Sequence, residues 1–374
     1  MSSASPTMDQ KLLLFRKFAL KELSLPAVTS RDFSQDSAAD FLALSLQSIE
    51  EHLFHTQNLR RLSGELFSVQ AGYLDCASPN ARSVERDGVH LLGFHVGLGA
   101  AVFEFSLFCF SQRKIFKNSG DAQSEGNPQA VDGYPPGFWM RERGAVLERD
   151  AFLKSANSII PKCPRRYDMA VLLSILMMRF VWFHELYHAV NGHAGLVAVS
   201  DIRLGLSETD KSVSNAIKPE TMSLLELDAD QSALSALCRV FPAELENIEG
   251  LRHLSSQENL TLSLFAAYSS TWILDEYLLR RGVGVPDDHP HPKDRRQNLV
   301  RTFASVFAEK MEGAKEIHDN VLREMTVLSA VISRFPSGDH LRREMNDKTL
   351  QADLDEKQAK LTALRERLES FKFS

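Results

Sequence analysis

The apolar run from Met169 to Phe183 ends in His184-Glu185-Leu186-Tyr187-His188, an HExxH pentapeptide. A run of that kind has to be enclosed, and two imidazoles and a carboxylate at its end are costly to enclose without a partner. Its length and apolarity predict a buried helix over 165–191. On a helix, residues four apart share a face, so His184 and His188 present two imidazoles to one point. Glu185 stands about 100° round the helix, where it reaches a water at that point rather than the point itself. Zn²⁺ is the ion this set suits. It takes neutral imidazole nitrogen and carboxylate oxygen in a tetrahedron and keeps one position open for water.

A catalytic tetrahedron needs a third protein ligand. Pro219 and Glu220 mark a helix start, and Met222, Leu225, Leu234, Leu237 and Phe241 recur at helical spacing, predicting a helix over 219–241. Glu226 and Asp230 lie four apart on it. Glu226 is expected to bind the metal, with Asp228 as the fallback. Asp230 is expected to accept the other ring N–H of a histidine ligand, which fixes its tautomer. His193 is a rival third ligand. The metzincin pattern needs glycine seven and histidine ten residues after the first histidine, whereas Gly192 and His193 follow His184 by eight and nine. Asn191-Gly192 therefore reads as a helix stop, and His193 as a pocket or surface residue.

HExxH followed by ExxxD resembles the gluzincin arrangement. Glu226-Leu227-Asp228-Ala229-Asp230 is similar to the ExxAD of HtpX-like and CAAX-prenyl-protease-like peptidases. His289-Pro290-His291-Pro292-Lys293-Asp294-Arg295 with Leu299 resembles the HPPxxxRxxxL element of those peptidases, with His291 where that pattern has its second proline. The three elements occur in the same order and span roughly residues 170–300. The form HELxHxxxGH is also similar to the Lit phage-exclusion peptidases, which would imply one host protein as target, cleaved on a phage signal. The resemblance implies an oxyanion contact from His289 or His291, with His289 in register. It also implies that Arg295 braces that loop by pairing with a carboxylate. Tyr187 and Tyr268 are further candidates for the oxyanion.

At 374 residues and 44% apolar the chain can bury a sizeable core. Its net charge of −6, with both signs mixed, leaves no nucleic-acid footprint. Cys76, Cys109, Cys163 and Cys238 are scattered with no CxxC, which argues against a structural zinc site or a disulfide framework. Residues 1–25 carry no signal-peptide pattern, so a cytoplasmic location is expected. Met169–Phe183 is short of the ~20 residues needed to span a membrane and contains Arg179. Val89–Phe110 contains His90, His95 and Glu104. No spanning helix is expected, in contrast to HtpX-like enzymes.

Residues 8–24 and 38–62 read as amphipathic helices, and 65–74 and 89–116 as strands of a small sheet. Val102–Phe110, with its Phe103/Phe105/Leu107 alternation, is the candidate strand for binding extended substrate by strand addition. Residues 117–137, rich in Gly, Ser, Asn, Asp and Pro, read as a mobile loop. Helices are expected over 258–281, 294–312 and 314–335. In the tail Leu354, Leu361 and Leu368 are seven apart, a short heptad seam flawed by Lys357. That seam serves either a homodimer or a fold-back onto the body.

The expected architecture is α+β, mostly helical and gluzincin-like, with a small sheet beside the metal-binding helix. An N-terminal helical region (1–62) precedes a zinc metallopeptidase core (63–300) and a C-terminal helical extension (301–374). The expected activity is zinc-dependent hydrolysis of peptide bonds in a protein or peptide substrate, with Glu185 as base. The alternative is a zinc-binding regulator or scaffold with a sequestered site.

Overall fold

The computed structural model describes residues 6–28, 58–128, 134–139, 159–199, 218–245, 254–281, 289–307, 313–333 and 351–374, with short pieces between 42 and 56, at 206–207 and at 335. Thr7 opens α1 (Met8–Glu22) with a reciprocal cap: its hydroxyl accepts from Gln10 N, and the Gln10 side chain accepts from Thr7 N. Of the helix expected over 38–62, the described residues include Leu42, Leu46, Ile49 and Leu53, all buried in the main core at helical spacing.

The sheet is formed by β1 (Ala27–Val28), β2 (Val69–Leu74), β3 (Ala81–Arg86), β4 (Val89–His95) and β5 (Leu206–Ser207), in the order β1-β2-β4-β3-β5. β2 and β4 pair in parallel, with Gly72 opposite Gly93; the other pairs are antiparallel. Asp87-Gly88, both with positive φ (51° and 73°), closes the β3–β4 hairpin in the two-residue turn that matches strand twist. α1 lays Phe15 and Phe18 on one face of the sheet, against Leu74, Val84, Val89 and Leu91. Gly72 makes room for this, since a Cβ there would stand 2.5 Å from the Phe15 ring.

Directly after β4 the chain turns into helix α2 (Val96–Ser111), so the strand expected at Val102–Phe110 is helical. Every residue of α2 except Phe103 is buried. A helix enclosed all round has no polar face, so its apolar pattern carries no 3.6-residue period and chance alternation reads as strand. Glu104 survives in that interior because its carboxylate accepts the backbone N–H groups of Gly137 (2.9 Å) and Trp139 (3.2 Å).

Of the loop expected over 117–137, the described residues form turns and a short 3-10 helix (Ala122–Ser124) and are tied to the body. Buried Arg166 donates to the carbonyls of Phe110, Gln112, Ile115, Phe116 and Ser119. Glu125 accepts from Lys162 N and Cys163 N at the entry of the next helix.

That helix, α3 (Pro164–Val190), is the axis of the molecule. It is long and apolar enough to cross a membrane, yet 83% of its most apolar window is buried inside the protein. After α4 (His193–Val199), the helices α5 (Pro219–Leu245) and α6 (Ser256–Arg280) pack on α3 beside α2, while β3 and β4 close another side. α7 (Pro292–Phe307) lies against α5 and α6, and α8 (Ala314–Val331) against α6. α9 (Gln351–Leu368) folds back on α5, where its seam residues Leu361, Leu364 and Leu368 are buried with Leu196, Val197, Leu224 and Leu225. Lys357, the odd residue in that seam, pairs with Asp294 of α7 at 2.6 Å. Beyond α9, Phe371 sits over Gly192 and Gly195, and Phe373 bridges to Arg61.

Candidate metal centre

The last turns of α3 carry His184 and His188, with Nε2 atoms 3.0 Å apart. α5 crosses so that Glu226 meets both: Oε2 is 3.1 Å from His184 Nε2 and Oε1 is 3.4 Å from His188 Nε2. All three side chains are 3% exposed or less. A tetrahedron with metal–ligand bonds of ~2.0–2.1 Å has edges of about 3.3 Å, close to these separations. Among the described residues, this is the one group of three or more His, Cys, Asp or Glu placed to hold an ion.

The hydrogen bonds behind the rings test whether a cation fits. His184 Nδ1 is 2.9 Å from Asp230 Oδ1, and that carboxylate accepts two bonds from Arg295, Nε at 2.8 Å and Nη2 at 2.7 Å. His188 Nδ1 is 2.9 Å from His193 Nδ1, and His193 Nε2 is 2.9 Å from Asp228 Oδ2. Asp228 also accepts from Asn191 Nδ2 (2.7 Å) and Arg365 Nε (2.6 Å). One assignment of neutral rings satisfies every link behind them: His184 and His188 donate through Nδ1, and His193 accepts at Nδ1 and donates from Nε2. Both ligand Nε2 atoms are then lone pairs that face each other and a carboxylate. Three acceptors converging without a donor repel unless a cation lies among them, so the set fits a metal ion.

Electrostatics agree. Burial pushes His188 well below the ordinary histidine value, keeping it neutral. Burial opposes ionisation of Glu226; without a metal, positive charge and ring N–H groups offered by His188 and His184 outweigh it and hold the carboxyl well below the usual range, a role a bound cation would take over. Burial opposes ionisation of Asp230 and Asp228 too. Arg295 and His184 outweigh it at Asp230, and His193 and Arg365 at Asp228.

Glu185 follows His184 and is buried with it. Arg295 is buried and grips the Asp230 carboxylate with two nitrogens. His289 is half-buried and near enough to Glu226 to bear on its carboxyl. His291 is exposed at the start of α7, where its Nδ1 accepts from Lys293 N at 3.2 Å. Tyr268 lies in the main core. Tyr187 lines a cavity that none of the three ligands lines.

His193 was expected in a pocket or at the surface; it is wholly buried and braces His188. Asp228, the fallback ligand, holds His193 instead. The sequence marks the break at Asn191-Gly192 but not the direction taken after it. Gly192 at φ +83° lets α4 start at once and swings His193 back towards His188. Arg365 carries no such signal, since only the folding back of α9 brings it to Asp228.

Neither a protein-family model nor a curated protein nor a solved structure matches this chain.

Proposed function

We propose that the chain is a zinc-dependent endopeptidase acting on a protein substrate. The observation that carries this reading is the convergence of His184 Nε2, His188 Nε2 and a Glu226 carboxylate, each ring tied off behind, with Glu185 one residue from His184. Bound there, zinc would supply Lewis acidity, lowering the pKa of a water towards ~7 and polarising the scissile carbonyl. Glu185 takes the proton of the attacking water and passes it to the leaving amine. Asp230 and His193 keep the two rings in the tautomer that offers Nε2. His289 donates to the developing oxyanion, and Arg295, anchored on Asp230, holds the start of α7 that follows His289.

A second reading, a zinc-binding regulator with a sequestered site, is favoured by the depth of the site, since Glu185 and all three ligands are 3% exposed or less. One pair of measurements separates the two. The wild-type chain and Glu185→Gln are expected to carry equal zinc. Wild type cleaves an unfolded protein substrate, and the variant is slower by about 10²–10⁴-fold. Equal, negligible cleavage by both zinc-loaded proteins favours the regulator. Absence of zinc in wild type removes both readings.

A further inference from the structure

A cavity of about 670 Å³ lies across α5 from His184, His188 and Glu226. Ser232, Ser235 and Arg239, which line it, stand roughly half a turn round the helix from Glu226. Walls from α3, α7 and α9, with His52, enclose it further, and no Asp or Glu is among its described lining residues. Three arginines are: Arg239, Arg301 and Arg365. Two of them spend part of their guanidinium on a carboxylate, Arg365 on Asp228 and Arg301 on Asp355. Arg301 Nη1 is nevertheless buried with no hydrogen-bond acceptor. Arg239 is exposed and forms no ion pair among the described residues. The hydroxyls of Ser235, Thr302 and Ser305 also line it; each donates to a backbone carbonyl of its own helix and keeps its lone pairs to accept.

A buried guanidinium nitrogen lacking an acceptor is costly, and an anion met by a turn of the Arg301 side chain, itself 32% exposed, relieves it. Guanidinium forks match phosphate oxygens, and a recess lined by one sign of charge concentrates counter-ions. The volume falls within the range of small-molecule sites, and the hydroxyl lining suits a polar body rather than an apolar one. We propose that this cavity binds a small phosphorylated, hydroxyl-rich molecule, with the phosphate on Arg239 and Arg301 and its hydroxyls towards Ser235, Thr302 and Ser305. The site stands on its own residues and does not depend on the peptidase reading.

Calorimetric titration of the full chain with inorganic phosphate, glucose 6-phosphate, AMP and citrate tests it. At least one of the two phosphate esters is expected to bind saturably, about tenfold or more tighter than inorganic phosphate or citrate. Which ester binds distinguishes a sugar phosphate from a nucleotide. Arg239→Gln and Arg301→Gln are each expected to weaken that binding by about tenfold, since a charge-assisted hydrogen bond is lost. Ser235→Leu, which fills the cavity without changing charge, is expected to block it. Thermal unfolding of each variant checks that the fold is retained. No saturable binding of either ester at millimolar concentration overturns the proposal. Citrate binding as tightly as the esters, or unchanged affinity in folded Arg239→Gln and Ser235→Leu, overturns it as well.

Discussion

His184 is braced by a carboxylate that a buried arginine grips with two nitrogens. His188, one turn further on the same helix, is braced by another histidine, whose carboxylate is gripped by an arginine from the C-terminal helix. The first brace is short and dry, with Arg295 6% and Asp230 0% exposed. The second has one more link and ends at the surface, with Arg365 40% exposed over Asp228 at 2%. Two equivalent candidate ligands are thus held by supports of different exposure. The Asp230 brace is built into the core helices, whereas the His193 brace depends on α9 staying docked.

The largest effect is common to both supports. His184→Ala, His188→Ala or Glu226→Ala is expected to leave the purified protein without zinc, because two protein ligands are too few to hold the ion tightly. Metal analysis reads this directly. Zinc retained in Glu226→Ala but lost in Asp228→Ala would transfer the third ligand to the second brace and dissolve the distinction between them.

Next comes the buried grip of the first brace. Arg295→Ala leaves the Asp230 carboxylate in the interior without its cation, and breaking a buried pair in this way costs about 3–5 kcal/mol. Chemical denaturation of the metal-free chain measures it, so the result is independent of zinc. A loss under ~1 kcal/mol, the usual worth of an exposed pair, would place the two braces on a par.

How much of this was legible in the sequence follows the same division. His184, His188, Glu226 and Asp230 pair at four-residue spacing on helices, a period that can be read without knowing the fold. Arg295 was legible through the motif it resembles. His193 sits across a helix break, where spacing no longer reports direction, and Arg365 meets Asp228 across 137 positions through packing alone. The fold divides similarly. The helices over α3, α5, α6 and α7 were readable from periodicity and end signals. α2 was not, because uniform burial erases the period.

A pH prediction follows from the tail that keeps α9 in place. His90 is buried under Phe373, with ring centroids 5.6 Å apart, and stacks on Phe67. Burial, with Arg61 adding to it and Glu65 opposing, pushes its pKa down to about 3. Glu85 stands 3.7 Å away on β3. The folded value lies below the unfolded ~6.5, so the unfolded chain binds the extra proton first and stability falls as pH drops through 6.5. Between pH 6.5 and 5 the loss is about 2 kcal/mol. His90→Phe is expected to flatten that part of the stability profile. Hydrogen exchange in residues 359–374 should quicken over the same range before exchange in α3 does. Simultaneous release of both segments would mean that the tail and core open as one unit.

The smallest effect is at the exposed end of the second brace. Arg365→Ala removes a half-exposed ion pair to Asp228 and a bond to Gln231 (2.7 Å). Asp228 keeps His193 and Asn191 as donors, so its carboxylate is not stranded. The expected cost is ~1 kcal/mol or less in stability and about threefold or less in zinc affinity. His193→Ala removes the link that touches His188 and is expected to weaken zinc by about 10–100-fold. Competition with a fluorescent chelator ranks the two. If Arg365→Ala weakens zinc as much as His193→Ala, the relay transmits its full hold from the surface to the metal. Docking of α9 would then be part of the metal centre rather than a support for it. If Arg365→Ala is silent while His193→Ala is not, the brace ends at Asp228, and the two histidines are held by carboxylates of equal rank reached by paths of unequal length.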